Sequence, residues 1–319
     1  MVQRIPISFD GSLDAYPVAS STLDDLDHCG FQSCIRNRKP LILIGGAQNW
    51  LGLSEDSGAI QKIFEAVDDC EEDMLVALDG RNFLKHGLCL TRLVDLKTGM
   101  KSILNREAIF SHSIVEAEFV PPTSIDSEST MVRKYIRTYF DMHQNLLREI
   151  DIEYLRNLIL GPEVRDTIHK STEDSISPFK LKNMGLWISS EGCITPLHFD
   201  LCHGFLAQIV GRKTFLLASS SETSLLRYWK GRKTNNTKNG TTSPIDLSLW
   251  LDGDKAERAR YPLVDETAWF IASLGPGDIL YTPPGWWHYV ISDTTSVSVL
   301  IPFDPQPSKE ALPMNVLTA

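Results

Sequence analysis

Three residues in the chain have the types and the spacing of a metal site. His198 and Asp200 lie two positions apart in TPLHFD, a run that otherwise has the apolar character of a buried strand. Residues i and i+2 of a strand project to the same face, so we expect these two side chains to point together. His288 comes much later in the chain, after the run PPGWW. Two imidazoles and one carboxylate suit non-haem Fe(II) and leave coordination positions open for a cosubstrate and O₂.

A His-x-Asp pair also has a purely structural explanation, in which a core histidine is hydrogen-bonded within its sheet and the aspartate ends the strand. The later run GPGDILYTPPGWWHYVIS favours the metal site. Its first four residues form a turn before an apolar strand, and PPG forms a second turn that delivers His288 onto the next strand. We therefore predict that His198, Asp200 and His288 bind one iron ion.

The first half of the chain contains one short strand and two helices by its hydrophobic spacing. KPLILIGGAQNW, at 39–50, is a β-rich apolar run closed by two glycines, which predicts a buried strand that leads into a turn. Between residues 57 and 69 apolar side chains recur at i, i+3, i+4 and i+7, which predicts an amphipathic helix. The stretch 141–160 repeats this helical pattern.

After about residue 185 the pattern changes to many short strands separated by turn signals, which is typical of a sandwich or barrel. The polar run WKGRKTNNTKNGTTSP, at 229–244, is predicted to be a long surface loop or insertion. The fold is therefore predicted to be mainly β with flanking helices. Four segments are expected: an N-terminal extension (1–38), strands and helices packed on the core (39–184), the β core (185–304) and a C-terminal tail (305–319).

Composition limits the classes of function. The chain has 319 residues and a formal net charge of −10, which argues against a general binder of nucleic acid or of an anionic membrane. No apolar run reaches the length of a membrane span or a signal peptide. Six cysteines are scattered without a CxxC pair, which fits reduced thiols. We expect a soluble, intracellular protein of the cytoplasm, with no nucleic-acid or membrane partner.

Four runs of the sequence together resemble the JmjC, cupin-type branch of Fe(II)/2-oxoglutarate-dependent oxygenases. They are LWISSEGCITPLHFD, FLAQIVGRKTFLL, GPGDILYTPPGWWHYVI and SVSVLIPF. The branch includes the asparaginyl hydroxylase that acts on hypoxia-inducible factor. KPLILIGGAQNW resembles the N-terminal strand of that branch, so the similarity runs from residue 39 to about 303. The resemblance implies a double-stranded β-helix, or jelly-roll, core and the cofactors Fe(II), 2-oxoglutarate and O₂.

The resemblance also assigns roles to single residues. It implies that His198, Asp200 and His288 are the iron ligands. It implies that Lys213, in GRK, pairs with the distal carboxylate of 2-oxoglutarate, and that the hydroxyl of Thr195 helps to hold the same carboxylate. The lysine assignment is physically reasonable, because a cation inside an apolar core needs an anionic partner.

Tyr135, in VRKYIRTYF, matches a further cosubstrate contact, and a plain core tyrosine is the alternative. The chain departs from the family pattern at two places. His203-Gly204 stands where relatives often have asparagine after the His-x-Asp segment, and the last core strand has the aliphatic run LIPF, 300–303, where they often have another asparagine. Both departures affect how 2-oxoglutarate is anchored.

The same departures suggest residues of a substrate pocket. If Ile301 and Phe303 face the cavity, as alternate residues of one strand do, they form an apolar wall that suits a small aliphatic group. His203 is a substrate contact or a second layer of hydrogen bonding around the metal, or else a solvent-facing strand residue. Trp286 belongs to the pocket wall, the core or an interface, and its place beside His288 favours the first two.

The implied activity is oxidation of an unactivated C–H bond, by hydroxylation, cyclisation or desaturation. The first hypothesis for the substrate is a small molecule such as an amino acid or a natural-product intermediate, because LIPF is apolar and the chain is acidic. The second is a protein or peptide side chain, and histone demethylation is a distant third. A different class is a non-catalytic cupin that only binds a ligand, since a fold alone does not establish function.

Overall fold

Two β-sheets that face each other form the centre of the protein. The computed structural model describes residues 5–6, 13–53, 58–77, 89–104, 133–161, 178–179, 183–226 and 241–305. The strands are β1 (Ile5–Pro6), β2 (Asp14–Pro17), β3 (Ser20–Thr22), β4 (Leu41–Ile44), β5 (Glu71–Ala77), β6 (Cys89–Asp95), β7 (Arg133–Tyr139), β8 (Gly185–Ser189), β9 (Ile194–Phe199), β10 (His203–Val210), β11 (Lys213–Ala218), β12 (Trp269–Leu274), β13 (Ile279–Thr282), β14 (Trp287–Ser292) and β15 (Ser296–Phe303).

Eight α-helices flank the sheets in the part of the chain that the structure describes. They are α1 (His28–Arg36), α2 (Gly58–Ala66), α3 (Leu96–Leu104), α4 (Gln144–Arg148), α5 (Ile152–Leu160), α6 (Thr223–Leu226), α7 (Leu247–Leu251) and α8 (Lys255–Arg260). Within those same residues, no helix has the length and apolar character needed to cross a membrane.

The smaller sheet has six strands in the order β1-β2-β12-β11-β14-β9, and the larger has nine in the order β3-β4-β13-β10-β15-β8-β7-β5-β6. From β8 to β15, consecutive strands alternate between the two sheets, except that β11 and β12 pair with each other in the smaller sheet, as in a jelly roll. The prediction of a mainly β protein with flanking helices around a jelly-roll core is therefore confirmed. The N-terminal residues take part in both sheets, since β2 pairs with β12 and β3 pairs with β4.

Strand register identifies the residues that point between the sheets. Lys213, Phe215 and Leu217 of β11 lie opposite Ser292, Val290 and His288 of β14, so these six side chains share one face. Phe215, Leu217 and Val290 form an apolar cluster with Leu280 of the larger sheet. This face of the smaller sheet is therefore its inner face, and the space between the sheets is called the interior below.

The outer face of the larger sheet carries the main hydrophobic core. Phe205, Tyr281 and Ile301 share that face by register and cluster with Phe31 of α1 and with residues of the other N-terminal helices. The outer face of the smaller sheet packs separately, with Trp250 of α7 in its cluster. Both sheets are thus covered on their outer faces.

The helical predictions hold with one change. The expected helix at 57–69 is α2, whose described part begins at Gly58. The stretch 141–160 contains two helices rather than one, because the carboxylate of Asp151 accepts a hydrogen bond from the backbone N–H of Glu153 and so begins a new helix. Most of the predicted loop (229–240) and nearly all of the predicted tail (306–319) lie outside the described residues.

Phe31 joins α1 to the larger sheet, and we expect Phe31→Ala to cost about 3–5 kcal/mol of unfolding free energy. Its side chain is fully buried, with its ring 5.5 Å from that of Phe205 and 5.0 Å from that of Tyr281. Urea unfolding followed by circular dichroism measures the change. Met142→Ala is the control, because that side chain is 56% exposed and its loss should change stability by less than about 0.5 kcal/mol. Equal effects of the two changes would contradict this account of the core.

Candidate metal centre

His198, Asp200 and His288 meet at one end of the interior. His198 of β9 lies directly opposite His288 of β14, so both rings project from the same face of the smaller sheet. Asp200 follows β9 two residues after His198. The structure therefore brings together the three residues predicted to be iron ligands, although His288 lies far from the other two in the sequence.

The geometry of this cluster is compact. One possible ligand atom from each of the three residues lies within 4.8 Å of the other two. The ring centroids of His198 and His288 are 4.0 Å apart with the ring planes at 60°, and Nε2 of His288 is 3.7 Å from Oδ2 of Asp200. Both histidines are buried and Asp200 is partly buried. A single small cation fits the spacing of these atoms.

Backbone carbonyls orient both imidazoles. Nδ1 of His198 donates to the carbonyl of Pro196 at 2.8 Å, and Nδ1 of His288 donates to the carbonyl of Trp286 at 3.0 Å. A carbonyl can only accept, so the proton of each neutral ring is on Nδ1 and the lone pair is on Nε2. Such a second hydrogen bond is what orients a metal-binding histidine.

Burial leaves the imidazole of His198 and the carboxylate of Asp200 without enough polar partners when no cation is bound. Burial, and secondarily the neighbouring His288, lower the pKa of His198 well below its usual value. Burial also raises the pKa of Asp200, whose neighbour His288 opposes the shift. Oδ1 of Asp200 is buried and has no hydrogen-bond partner in the part of the chain that the structure describes. A divalent ion would satisfy that oxygen and use the free lone pair of His198, so the donor set fits Fe(II).

The turn before β14 holds the aspartate in place. The backbone N–H of Gly285 donates to the carbonyl of Asp200 at 2.8 Å. Gly285 has φ of +79°, a conformation that favours glycine, so the PPG turn needs glycine at this position. This contact ties Asp200 to the segment that carries His288.

A β-bulge turns Thr195 toward the interior. Thr195 lies opposite Val290, while His198 lies opposite His288, so three residues of β9 span the distance that two residues of β14 span. Without the extra residue, Thr195 and His198 would project to opposite faces, because they are three positions apart. The bulge places both on the inner face.

Lys213 is buried in the interior, level with Ser292 on the neighbouring strand. Burial lowers the pKa of Lys213 to about 8, while the nearby Cys193 acts weakly in the opposite direction. Its ammonium makes no hydrogen bond or ion pair to any residue that the structure describes. Ser292 is four residues beyond His288 on β14, about 13 Å along a strand. The cation and the metal cluster therefore lie at two levels of the same inner face.

Two serines connect the lysine to the strand that carries Tyr135. The hydroxyls of Ser189 and Ser292 are hydrogen-bonded across the interior at 2.8 Å, and Tyr135 lies opposite Ser189. Tyr135 therefore faces the interior on the same side as Lys213. Burial raises the pKa of its phenol, so its hydroxyl stays protonated and can donate. The serine pair carried no signal in the sequence, because hydroxyls occur on many strands.

The apolar wall expected from Ile301 and Phe303 does not form at this site. Both side chains lie on the outer face of β15, in the main core with Phe31. The inner face of β15 is carried by the alternate residues, so Leu300 faces the interior instead. Leu300 packs against the cluster that contains Tyr135, Trp187 and Cys202.

His203 also points away from the metal cluster. Its Nδ1 is 2.9 Å from the hydroxyl of Tyr281, and its ring packs against Tyr281 and Phe303 on the outer face of the larger sheet. A role for His203 as a substrate contact is therefore not supported by its position. Trp286 packs in the interior cluster with Phe270, and its indole N–H donates to the carbonyl of Arg38 at 2.8 Å.

Comparison with known proteins decides the family. A family model described as a cupin-like domain matches residues 30–309, which is most of the chain. The chain belongs to the cupin-like domain family. Relatives of the chain include proteins whose names contain the term JmjC. The predicted relationship to the JmjC, cupin-type oxygenases is thereby confirmed.

Three relatives illustrate the range of this cupin-like domain. JmjC domain-containing protein F of Dictyostelium discoideum is 32% identical over 57% of the chain and 39% of that protein. Lysine-specific demethylase 8 of Xenopus tropicalis is 30% identical over 41% of the chain and 26% of that protein. tRNA wybutosine-synthesizing protein 5 of Homo sapiens is 33% identical over 38% of the chain and 34% of that protein. The matched part of the chain spans about a third of the length of such relatives.

Proposed function

We propose that this protein is an Fe(II)- and 2-oxoglutarate-dependent oxygenase that oxidises a C–H bond of a small molecule such as an amino acid. The observation that carries the proposal is the ligand set itself. His198 and His288 use Nδ1 in hydrogen bonds to backbone carbonyls, which leaves their Nε2 lone pairs available, and Oδ1 of the adjacent Asp200 is buried without a hydrogen-bond partner among the described residues. A structural histidine pair would instead use these atoms in hydrogen bonds to the protein.

The residues of the interior then have distinct roles. His198, Asp200 and His288 hold the iron, and Lys213 with Thr195 holds the distal carboxylate of 2-oxoglutarate. Bound there, Fe(II) and 2-oxoglutarate supply the activation of O₂ that oxidises a C–H bond. The protein excludes water from the interior and orients the substrate carbon toward the iron.

Tyr135 and the serine pair complete the cosubstrate end of the site. The phenol of Tyr135 and the hydroxyl of Ser292 can donate hydrogen bonds to the carboxylate that Lys213 neutralises. Ser292 lies opposite Lys213 on the neighbouring strand, and Tyr135 lies opposite Ser189, which is hydrogen-bonded to Ser292 from the facing sheet; these positions support the assignment. Leu300 and Trp187 offer apolar surface for the substrate, because both belong to the interior cluster around Tyr135.

A protein or peptide side chain is the second candidate substrate. The observation that favours it is the name of one relative, a lysine-specific demethylase. An aliphatic side chain of a peptide would meet the same apolar surface around Leu300. The two candidates differ in whether a free amino acid is sufficient for turnover.

The first experiment measures succinate formed from 2-oxoglutarate by protein loaded anaerobically with Fe(II) and then exposed to oxygen. Free amino acids and short peptides are supplied in parallel. We expect a free amino acid to stimulate succinate formation. Stimulation by peptides alone would replace the small-molecule proposal with the second candidate. Failure of 2-oxoglutarate to bind the iron-loaded protein would overturn the oxygenase proposal itself.

The affinity for 2-oxoglutarate should fall at alkaline pH. The pKa of Lys213 is lowered to about 8, so the side chain is charged below that pH and neutral above it. Because a dianion needs the charged form, the dissociation constant should rise about tenfold for each pH unit above 8. Calorimetric titration with 2-oxoglutarate measures the profile.

Lys213→Arg is the matched control for this profile, because a guanidinium stays charged throughout the range. Its dissociation constant should be flat with pH, even if arginine binds more weakly at every pH. The same alkaline weakening in both proteins would show that another group titrates.

A further inference from the structure

A second group of possible metal ligands lies on the outer side of the larger sheet. Cys70, Glu72 and His143 each offer one ligand atom, and these atoms lie within 4.8 Å of one another. Cys70 precedes β5, Glu72 is in β5, and His143 immediately precedes α4. Glu72 pairs with Val94 of the edge strand β6, away from the interior. None of these residues belongs to the iron site proposed above.

Hydrogen bonds hold the group together in the absence of an ion. The backbone N–H of Asp68 donates to Nδ1 of His143 at 3.1 Å, so in the neutral ring Nε2 carries the proton. Nε2 then donates to the hydroxyl of Thr138 at 2.6 Å, and that hydroxyl donates to Oε1 of Glu72 at 2.5 Å. The thiol of Cys70 lies 4.0 Å from the same Nε2. The Thr138 hydroxyl thus links the imidazole to the carboxylate, and the sulfur of Cys70 lies beside the same imidazole nitrogen.

We propose that Cys70, Glu72 and His143 form a binding site for a thiophilic divalent cation of the zinc class. Thiolate, imidazole and carboxylate are all zinc ligands, and three such ligands leave a fourth position for water. Neighbouring ligand atoms around a tetrahedral zinc ion are about 3.3–3.8 Å apart, from the usual Zn–S and Zn–N distances. The 4.0 Å between Sγ and Nε2 needs only a small contraction.

Binding needs two proton movements. The thiol of Cys70 loses its proton to solvent, which makes the site's affinity depend on pH. The imidazole proton moves from Nε2 to Nδ1, where the carboxylate of Asp68, 3.8 Å away, can accept it. The backbone N–H of Asp68 must turn away at the same time. The ion then takes the place of Thr138 as the partner of Nε2.

The charge around the site favours a cation. The carboxylates of Glu72, Asp95, Asp68 and Asp69 all exert a negative potential at the Cys70 sulfur, which opposes an isolated thiolate. A bound divalent ion reverses that effect, because it is attracted by the same carboxylates that repel the thiolate. Lys97 offsets part of the negative charge through its ion pair with Asp69 at 2.7 Å.

Cobalt is the probe for this site, because Co²⁺ bound to a thiolate absorbs in the near ultraviolet and Co²⁺ bound to two imidazoles and a carboxylate does not. The titration uses the full chain carrying His198→Ala, which weakens the iron site. We expect one equivalent of Co²⁺ to produce the thiolate band and Zn²⁺ to displace it. Adding Cys70→Ser should reduce the intensity of the thiolate band at least tenfold. Adding His143→Gln should lower the affinity for Co²⁺.

Cys29→Ser is the matched control, since Cys29 is exposed and lies on α1. It should leave the band unchanged. Far-ultraviolet circular dichroism checks that each variant is folded, and a conservative serine at the partly buried position 70 preserves the local packing. Absence of the band in folded protein, or its persistence after Cys70→Ser, would overturn the proposed site.

Discussion

His198→Ala should abolish stoichiometric Fe(II) binding and reduce 2-oxoglutarate turnover by at least about 10³-fold, or about 4 kcal/mol of transition-state stabilisation. The change removes one Nε2 lone pair from a cluster in which a second imidazole and one carboxylate remain. The two ligands that remain, Asp200 and His288, are too few to hold an exchangeable ferrous ion in a defined geometry. Anaerobic equilibrium dialysis with Fe(II) and succinate formation measure the two effects.

His203→Gln is the matched control, because His203 lies close to His198 in the sequence but faces the opposite side of the fold. Its ring packs on Tyr281 and Phe303 in the outer core. We expect normal iron binding and a modest loss of stability from the changed hydrogen bond to Tyr281. Equal loss of iron in both variants would mean that the three residues assigned here do not hold it.

Lys213→Met should weaken 2-oxoglutarate binding by about 10²-fold or more while leaving Fe(II) binding intact. Removing one member of a buried charge pair costs about 2–5 kcal/mol. No residue that the structure describes pairs with the ammonium of Lys213, so its proposed partner is the bound carboxylate. Calorimetric titration with 2-oxoglutarate, in protein loaded with Fe(II) without oxygen, measures the loss.

The same variant should be at least as stable as the natural protein when no 2-oxoglutarate is present. The pKa of Lys213 in the folded protein, about 8, lies below its ordinary value, so the unfolded chain binds the proton more tightly. The buried cation therefore destabilises the fold at neutral pH, and this penalty disappears as the pH rises through the ordinary pKa. Methionine removes the penalty, so urea unfolding at neutral pH should show no loss of stability.

Lys255→Met controls for the loss of one positive charge, since Lys255 is exposed at the start of α8. It should change neither 2-oxoglutarate affinity nor stability. A large loss of stability in Lys213→Met, with unchanged 2-oxoglutarate affinity, would identify Lys213 as a structural residue and remove it from the proposed cosubstrate site.

The ligand set could be predicted from the sequence because its logic is local. His198 and Asp200 share a face through the two-residue period of a strand, whatever that strand packs against. The turn PPG before His288 is equally local, since proline and glycine restrict the backbone by their own chemistry. The jelly-roll class followed in the same way, from many short apolar runs separated by turn residues.

The faces of the last residues of β15 could not be read from their own types. The first half of the strand, SVSV, alternates polar and apolar residues, but the second half, LIPF, is apolar throughout and almost entirely buried, so that run does not itself mark an inner face. The apolar wall was expected on the condition that Ile301 and Phe303 face the cavity, whereas the structure places both in the outer core and Leu300 on the inner face. Thr195 reached the interior only through a bulge that strand periodicity does not reveal.

The amino-acid order alone was enough to name the candidate metal ligands and to indicate the family, because residue types and short-range backbone preferences carry that information. Packing between layers decided the rest. His198 pairs with His288, and Cys70 lies beside His143, although each pair is distant in the chain. Lys213 is buried because the two sheets pack over it. Such contacts depend on which face of a sheet is covered and by which element, and neither is encoded in any short run of residues.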